Sequence, residues 1–156
     1  MAHSIRKVGV IGAGQMGSGI AHVCALAGLD VVLNDISEDR VKAGLATING
    51  NMARQISRQR ITEDQRQAAL KHITSSDKYE KLGDCDLVIE AVTEREDIKR
   101  KTLAELCPHL KPEALIGTNT SSISITRLAA ATDRPEKFIG IPVSYTHLTL
   151  PTNREV

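Results

Sequence analysis

Lys7-Val8-Gly9-Val10-Ile11-Gly12-Ala13-Gly14-Gln15-Met16-Gly17 is the stretch that decides the fold. Small and β-favouring apolar residues run straight into a Gly-x-Gly-x-x-Gly turn. A helical pattern follows at once through Ile20, Ala21, Val23, Cys24 and Ala27. Eighteen residues past Gly17, after the apolar run Val31-Val32-Leu33, stands Asp35. The glycine triplet alone is a weak signal. Between a strand and a helix, with an acid at that distance, it is the fingerprint of a dinucleotide-binding βαβ unit.

Each part has a physical task. Gly12 lets the chain turn tightly out of the strand, Gly14 lets a pyrophosphate approach the backbone, and Gly17 lets the helix pack closely. The free N–H groups and positive end of that helix attract phosphate, so residues 12–17, with Ala13, Gln15 and Met16 between the glycines, form the expected cradle. Asp35 is expected to end the second strand and accept hydrogen bonds from an adenosine ribose. Its charge would repel a 2′-phosphate, which selects NAD over NADP; Arg40 is the one nearby cation that opposes this reading.

Outward from this unit, strand and helix patterns alternate. Residues 7–11, 31–35, 86–91, 114–118 and 137–141 read as buried parallel strands. Helices are expected at about 15–28, 94–106 and 123–131. Between them, residues 37–73 exceed a minimal domain of this kind. Ser37 caps a helix carrying Val41, Leu45, Ile48, Met52 and Ile56 at spacings of three or four, weakened by Gly44 and Gly50. Thr62 and Gln65 form a capping box for a second helix with Ala69 and Leu70 on its apolar side. The expected fold is therefore α/β, a doubly wound (Rossmann) parallel sheet with a helical hairpin inserted after the second strand.

Composition narrows the function. The 156 residues suit one domain, which buries roughly 70% of its unfolded surface. Twenty Lys and Arg against 19 Asp and Glu give no electrostatic case for nucleic acid or an anionic membrane. No apolar run approaches the length of a membrane span. Cys24, Cys85 and Cys107 show neither metal spacing nor a disulfide framework, which fits a reducing cytoplasm. No metal is expected.

Several polar residues have two readings. Arg54, Arg58, Arg60 and Arg66 cluster around the hairpin turn; a solvated face is the stronger reading on charge alone, against an anion grip. Thr93 and Glu96 make a capping-box pattern, with Glu94 and Lys99 just past a strand's carboxyl end, where doubly wound sheets bind ligands. They are otherwise a dipole-compatible acid and a solvent-exposed lysine. Asn119-Thr120-Ser121-Ser122 either caps the next helix or holds a polar group of a ligand, and position alone leaves both open.

Taken together, residues 4–141 resemble the 3-hydroxyacyl-CoA dehydrogenase family, most closely its bacterial 3-hydroxybutyryl-CoA members. The resemblance rests on Val10-Ile11-Gly12-Ala13-Gly14-Gln15-Met16-Gly17-Ser18-Gly19-Ile20-Ala21, on the hairpin after Asp35, on Asp86-Leu87-Val88-Ile89-Glu90-Ala91-Val92 and on Asn119-Thr120-Ser121-Ser122-Ile123. It implies a pyrophosphate of NAD on residues 12–17 and the adenosine ribose on Asp35. It further implies Glu94 and Lys99 near the cofactor, and Ser121 between nicotinamide and the substrate's C3 oxygen with Asn119 nearby. Coenzyme A contacts fall at Asn51 and Arg58, where family members often have serine and lysine. The implied reaction is reversible oxidation of an L-3-hydroxyacyl-CoA to a 3-oxoacyl-CoA, with a histidine oriented by a glutamate as general base.

The chain departs from that pattern after Ile141. The family's histidine opens a His-aromatic-x-Asn-Pro motif there; this chain continues Pro142-Val143-Ser144-Tyr145-Thr146-His147. Residues 142–156 resemble translated adapter sequence and are expected to be non-native. The orienting glutamate and the helical substrate and dimerisation domain are expected to be absent, so a homodimer is expected of the full-length protein alone. The five histidines read as structural or solvated. The competing readings are a 3-hydroxyisobutyrate or 6-phosphogluconate type of dehydrogenase, and a non-catalytic NAD-binding module.

Overall fold

The computed structural model describes residues 4–141. The 142–156 segment, and the readings placed on it, lie outside the described residues.

β1 (Lys7–Ile11) is the central strand because its apolar residues are buried on both faces. It pairs in parallel with β2 (Asp30–Asn34) on one side and β4 (Leu87–Glu90) on the other. β3 (Ile73–Ser76) extends the sheet beyond β2, and β5 (Leu115–Thr118) and β6 (Phe138–Gly140) extend it beyond β4. The order is β3-β2-β1-β4-β5-β6, parallel throughout. Strand order reverses between β1 and β4, which opens a crevice at the strands' carboxyl ends.

Alternate residues face opposite layers. Val8, Val10, Val31, Leu33 and Ile89 pack with residues of α1 (Gln15–Leu26), α2 (Glu38–Ser57) and α3 (Glu63–His72), among them Ile20, Ile48 and Met52. Ile11, Val32, Val88 and Ile116 pack against Leu103 and Leu106 of α4 (Glu96–Leu106) and Leu128 of α5 (Ile125–Ala129). Each fully buried aliphatic side chain contributes about 1.5–3 kcal/mol.

The hairpin forms as its caps predict. Ser37 accepts the Arg40 N–H at 3.3 Å, and both bonds of the Thr62–Gln65 capping box are present. α1 ends at Leu26, and Gly28 takes a left-handed φ of 89° just beyond it. Gly44 corrects a sequence expectation. Far from merely weakening α2, it is where that helix crosses the glycine turn: a Cβ there would stand 2.8 Å from Ala13 Cβ and 2.9 Å from Ala13 O.

Three other expectations are also corrected. β3 was not expected, because Ile73-Thr74-Ser75-Ser76 holds one apolar residue and its pairing to β2 is not local. The Thr93–Glu96 capping box does not form. α4 starts after Arg95 with no side-chain cap, because Glu96 reaches across to Arg127 at 2.7 and 3.0 Å. α5 is shorter than 123–131, and its cap is Ser124, which accepts the Arg127 N–H at 3.3 Å. The Asn119–Ser122 segment is therefore not the cap.

All three cysteines are free, and burial raises each thiol, Cys85 to about 12. Among the described residues no helix is long and apolar enough to cross a membrane.

Asp86 joins the starts of the two central strands. Its carboxylate accepts the Arg6 and Lys7 N–H groups at 2.8 and 3.1 Å and the Lys111 ammonium at 2.6 Å. The Lys111 bond first, then the backbone bonds, hold its pKa down at about 2 against the cost of burial. The unfolded value is about 3.9, so this stabilisation is complete above that pH and is lost as pH falls through the folded value. Asp86→Asn is expected to lower Tm at pH 7 by on the order of 3 °C. In melts followed by circular dichroism, the gap from wild type should close toward pH 2. A gap that stays constant with pH would contradict the assignment.

Candidate functional site

The carboxyl end of the sheet carries two polar groupings, one on each side of the β1–β4 crevice. The first is the glycine turn. Gly12 has φ 107°, and a Cβ on it would meet the Ala91 carbonyl oxygen at 2.5 Å. A Cβ on Gly17 would overlap the Gly12 carbonyl oxygen, so α1 sits on the strand at backbone contact. Gly14 is different: nothing lies within 4 Å of where its Cβ would be.

That open space faces an unusual helix start. α1 begins at Gly14 with no side-chain cap and no acid in its first turn, whereas α2, α3 and α4 each carry two acids there. By helix geometry the N–H groups of Gln15, Met16 and Gly17 have no partner within the helix. An uncapped, uncharged start beside empty space suits a pyrophosphate. Asp35 stands next to it, one residue past β2 rather than at its end. Its carboxylate accepts the Ala13 N–H at 2.8 Å and the Ile36 N–H at 2.6 Å. The turn and the acid are thus one hydrogen-bonded unit, and the residues present fit a dinucleotide.

The second grouping lies beyond β4 and β5. Glu94 Oε2 accepts from the Thr120 hydroxyl, the Ser122 hydroxyl at 2.7 Å, and the N–H groups of Ser121 and Ser122 at 3.3 Å each. Burial opposes ionisation of Glu94, but the hydrogen bonds from Thr120 and Ser122, with the charge of Lys99, outweigh it and hold the carboxyl below its ordinary value. Ser121 is exposed at the apex, and its hydroxyl has no protein partner among the described residues. Asn119 donates its N–H to the Glu90 carbonyl at 2.8 Å.

Lys99 is not the exposed lysine that its position suggests. It is 0% exposed, and its ammonium donates to Glu90 Oε2 at 2.7 Å and to the carbonyls of Val92 and Asn119 at 3.1 Å each. Its three protons match three protein acceptors, and Lys99 supports the site from beneath. Its partner Glu90, also 0% exposed, was not singled out from the sequence. The signal was a charged residue closing the apolar strand Leu87-Val88-Ile89-Glu90. Removing one member of such a pair costs about 3–5 kcal/mol.

The polar residues Asn51, Arg58 and Arg66 find partners within the hairpin itself. Asn51 accepts from Arg54 through its amide oxygen, and Arg58 is the C-cap of α2. Arg66 is engaged by Glu63 at 3.1 Å and Asn49 at 2.6 Å. Of the described histidines, His22 bonds Gln55 at 2.8 Å, His72 pairs with Asp30, at the start of β2, at 2.8 Å, and the His109 ring lies against Tyr79.

Fold and site together define an NAD-binding α/β domain of the dehydrogenase kind. Residues 7–148 match the NAD-binding domain of 3-hydroxyacyl-CoA dehydrogenases, and the chain belongs to that family. It is 65% identical over 141 residues to a 3-hydroxybutyryl-CoA dehydrogenase of Bradyrhizobium diazoefficiens, covering 90% of this chain and 48% of that protein. A 3-hydroxybutyryl-CoA dehydrogenase of Mycobacterium tuberculosis is 42% identical over 142 residues, covering 90% and 50%. The crystal structure of (S)-3-hydroxybutyryl-CoA dehydrogenase from Ralstonia eutropha superposes with a TM-score of 0.86 at 47% identity, covering 88% and 48%. The chain spans about half the length of the curated relatives it matches. The family match sets aside the 3-hydroxyisobutyrate and 6-phosphogluconate alternatives.

Two glycine substitutions separate fold from binding. Gly14→Ser supplies a good cap in open space, so Tm should hold or rise, while calorimetry should show NADH affinity down about tenfold as the hydroxyl takes the phosphate's place. Gly17→Ala should cost the fold itself. Unchanged NADH affinity in a folded Gly14→Ser chain would contradict the cradle.

Proposed function

We propose that this chain is the cofactor-binding half of a dehydrogenase that oxidises L-3-hydroxyacyl-CoA, with 3-hydroxybutyryl-CoA the favoured substrate, to the 3-oxoacyl-CoA. The observation that carries the reading is the placement of an exposed serine, held by the buttressed Glu94 loop, across the crevice from a bare helix start. The names of the relatives support it.

Bound NAD supplies the hydride acceptor. The N–H groups of Gln15, Met16 and Gly17, opened by Gly12, Ala13 and Gly14, hold the pyrophosphate oxygens. Asp35 takes the ribose hydroxyls and by its charge disfavours a 2′-phosphate. Glu94 keeps the Asn119–Ser122 loop in place. Ser121 would donate a hydrogen bond to the substrate's C3 oxygen, where charge develops in the reducing direction, with Asn119 nearby. On the hairpin, Arg58 and Asn51 take the phosphates of coenzyme A, with Arg54 steadying Asn51. The acyl-CoA is the partner; a homodimer belongs to the full-length protein, and the three free thiols fit a cytoplasmic location.

No histidine stands at the carboxyl ends of the strands among the described residues, and Pro142 occupies the family's base position. By itself, then, this 156-residue chain acts as an NAD-binding module. NADH formation from (S)-3-hydroxybutyryl-CoA and NAD should run about 10²–10⁴ below an intact relative for want of the base alone. A rate equal to that relative's would overturn this reading.

A further inference from the structure

Between the first turns of α2 and the end of β3 the surface folds into a cleft of about 290 Å³. Lys42 enters it from α2, Ser75 from β3, and Lys78 and Lys81 from the short 3₁₀ helix Tyr79–Leu82 and the residue before it. The parallel pairing of β3 with β2 brings these residues to one place, although they are scattered in sequence.

The charges of the cleft are left open. Elsewhere Lys7, Lys99 and Lys111 each sit on a carboxylate at 2.6–2.8 Å. The ammonium groups of Lys42, Lys78 and Lys81 have no hydrogen-bond or ion-pair partner among the described residues. Glu38 and Asp77 line the same cleft and are unpaired there too. Glu38 and Lys42 stand four apart on one helix, in the order that favours pairing, and still do not meet. The Ser76 hydroxyl is consumed in shaping the turn: it accepts the Lys78 N–H at 2.9 Å and donates to the Lys78 carbonyl at 3.2 Å. The exposed Ser75 hydroxyl has no protein partner among the described residues.

Three ammonium groups and a hydroxyl around one opening make a donor set for phosphate, which lysine holds as a point charge. The two carboxylates say what else the ligand carries. They repel a bare anion, and they accept hydrogen bonds from hydroxyl groups. A molecule that answers both sets bears a phosphate beside free hydroxyls. The cleft also stands apart from the dinucleotide crevice. Ser76 meets Asp35 through its carbonyl oxygen, which accepts the Asp35 N–H at 3.4 Å, while the Asp35 carboxylate turns to the Ala13 and Ile36 N–H groups.

We propose that this cleft is a second anion site, taking a small phosphorylated polyol or sugar and filling independently of the dinucleotide. It stands whether or not the crevice holds NAD.

Calorimetry on the full 156-residue chain tests it, with glycerol 3-phosphate as the probe and sulfate at matched ionic strength as the control. Glycerol 3-phosphate should bind once per chain, about tenfold more tightly than sulfate, and within about twofold of the same affinity at saturating NADH. Lys78→Ala with Lys81→Ala should weaken it about tenfold and Lys42→Ala about threefold, with NADH affinity unchanged. These side chains are exposed, and circular dichroism checks that the fold is kept. Glu38→Gln with Asp77→Asn should close the gap between the two anions by strengthening sulfate. Sulfate binding as tightly as glycerol 3-phosphate to wild type would mean a general anion patch. Competition with NADH would put the phosphate in the crevice instead. Either result, lysine variants that bind like wild type, or no binding of glycerol 3-phosphate at all would overturn the proposal.

Discussion

Backbone touches backbone where α1 meets β1, and the rest of the domain is arranged around that contact. No side chain fits between Gly17 and the Gly12 carbonyl. α1 is thereby brought close enough for its uncapped start to lie at the mouth of the β1–β4 crevice. Gly44 repeats the device from the other side, bringing α2 onto Ala13. The hairpin is consequently fastened to the very turn that suits the pyrophosphate. Asp35 completes the unit by accepting the Ala13 N–H. A dispensable-looking set of glycines is what gives an anion access to helix N–H groups that in α2, α3 and α4 are guarded by acids.

The second half of the crevice depends on charge rather than on close approach. Glu90 and Lys99 are wholly buried, and their partners are chain segments rather than solvent. Glu94, held below its ordinary pKa, extends the same network to the surface and gathers Thr120, Ser121 and Ser122. Ser121 is left exposed at the apex because its neighbours, not its own hydroxyl, carry the loop. A hydrogen-bond donor aimed by a fully satisfied network costs little reorganisation when charge develops beside it.

Local physics made the first half legible; in the second half it marked Glu94, Lys99 and the Asn119–Ser122 segment as candidates but not how they are held. The glycine turn, the Ser37 cap and the Thr62–Gln65 box each depend on residues within a few positions, so their sequence patterns describe the structure well. β3 depends on pairing with β2, some forty positions away, and its single apolar residue gives no period to read. Thr93 and Glu96 carry a correct local pattern that a tertiary partner, Arg127, overrides. Lys99 could not be read as buried because its acceptors come from β4 and from the loop after β5. The helix α2 showed its apolar face in sequence, whereas the use of Gly44 emerged only once Ala13 was seen beside it.

The central claim is that a dinucleotide spans both groupings at once. Titration of isotopically labelled protein with NADH, followed by amide chemical shifts, tests it most directly. The account predicts concerted changes at Ala13, Gln15, Met16 and Ile36 on one side and at Asn119, Thr120, Ser121 and Ser122 on the other. Shifts confined elsewhere, such as the surface cleft lined by Glu38, Lys42, Lys78 and Lys81, or no shifts at saturating NADH, would contradict it.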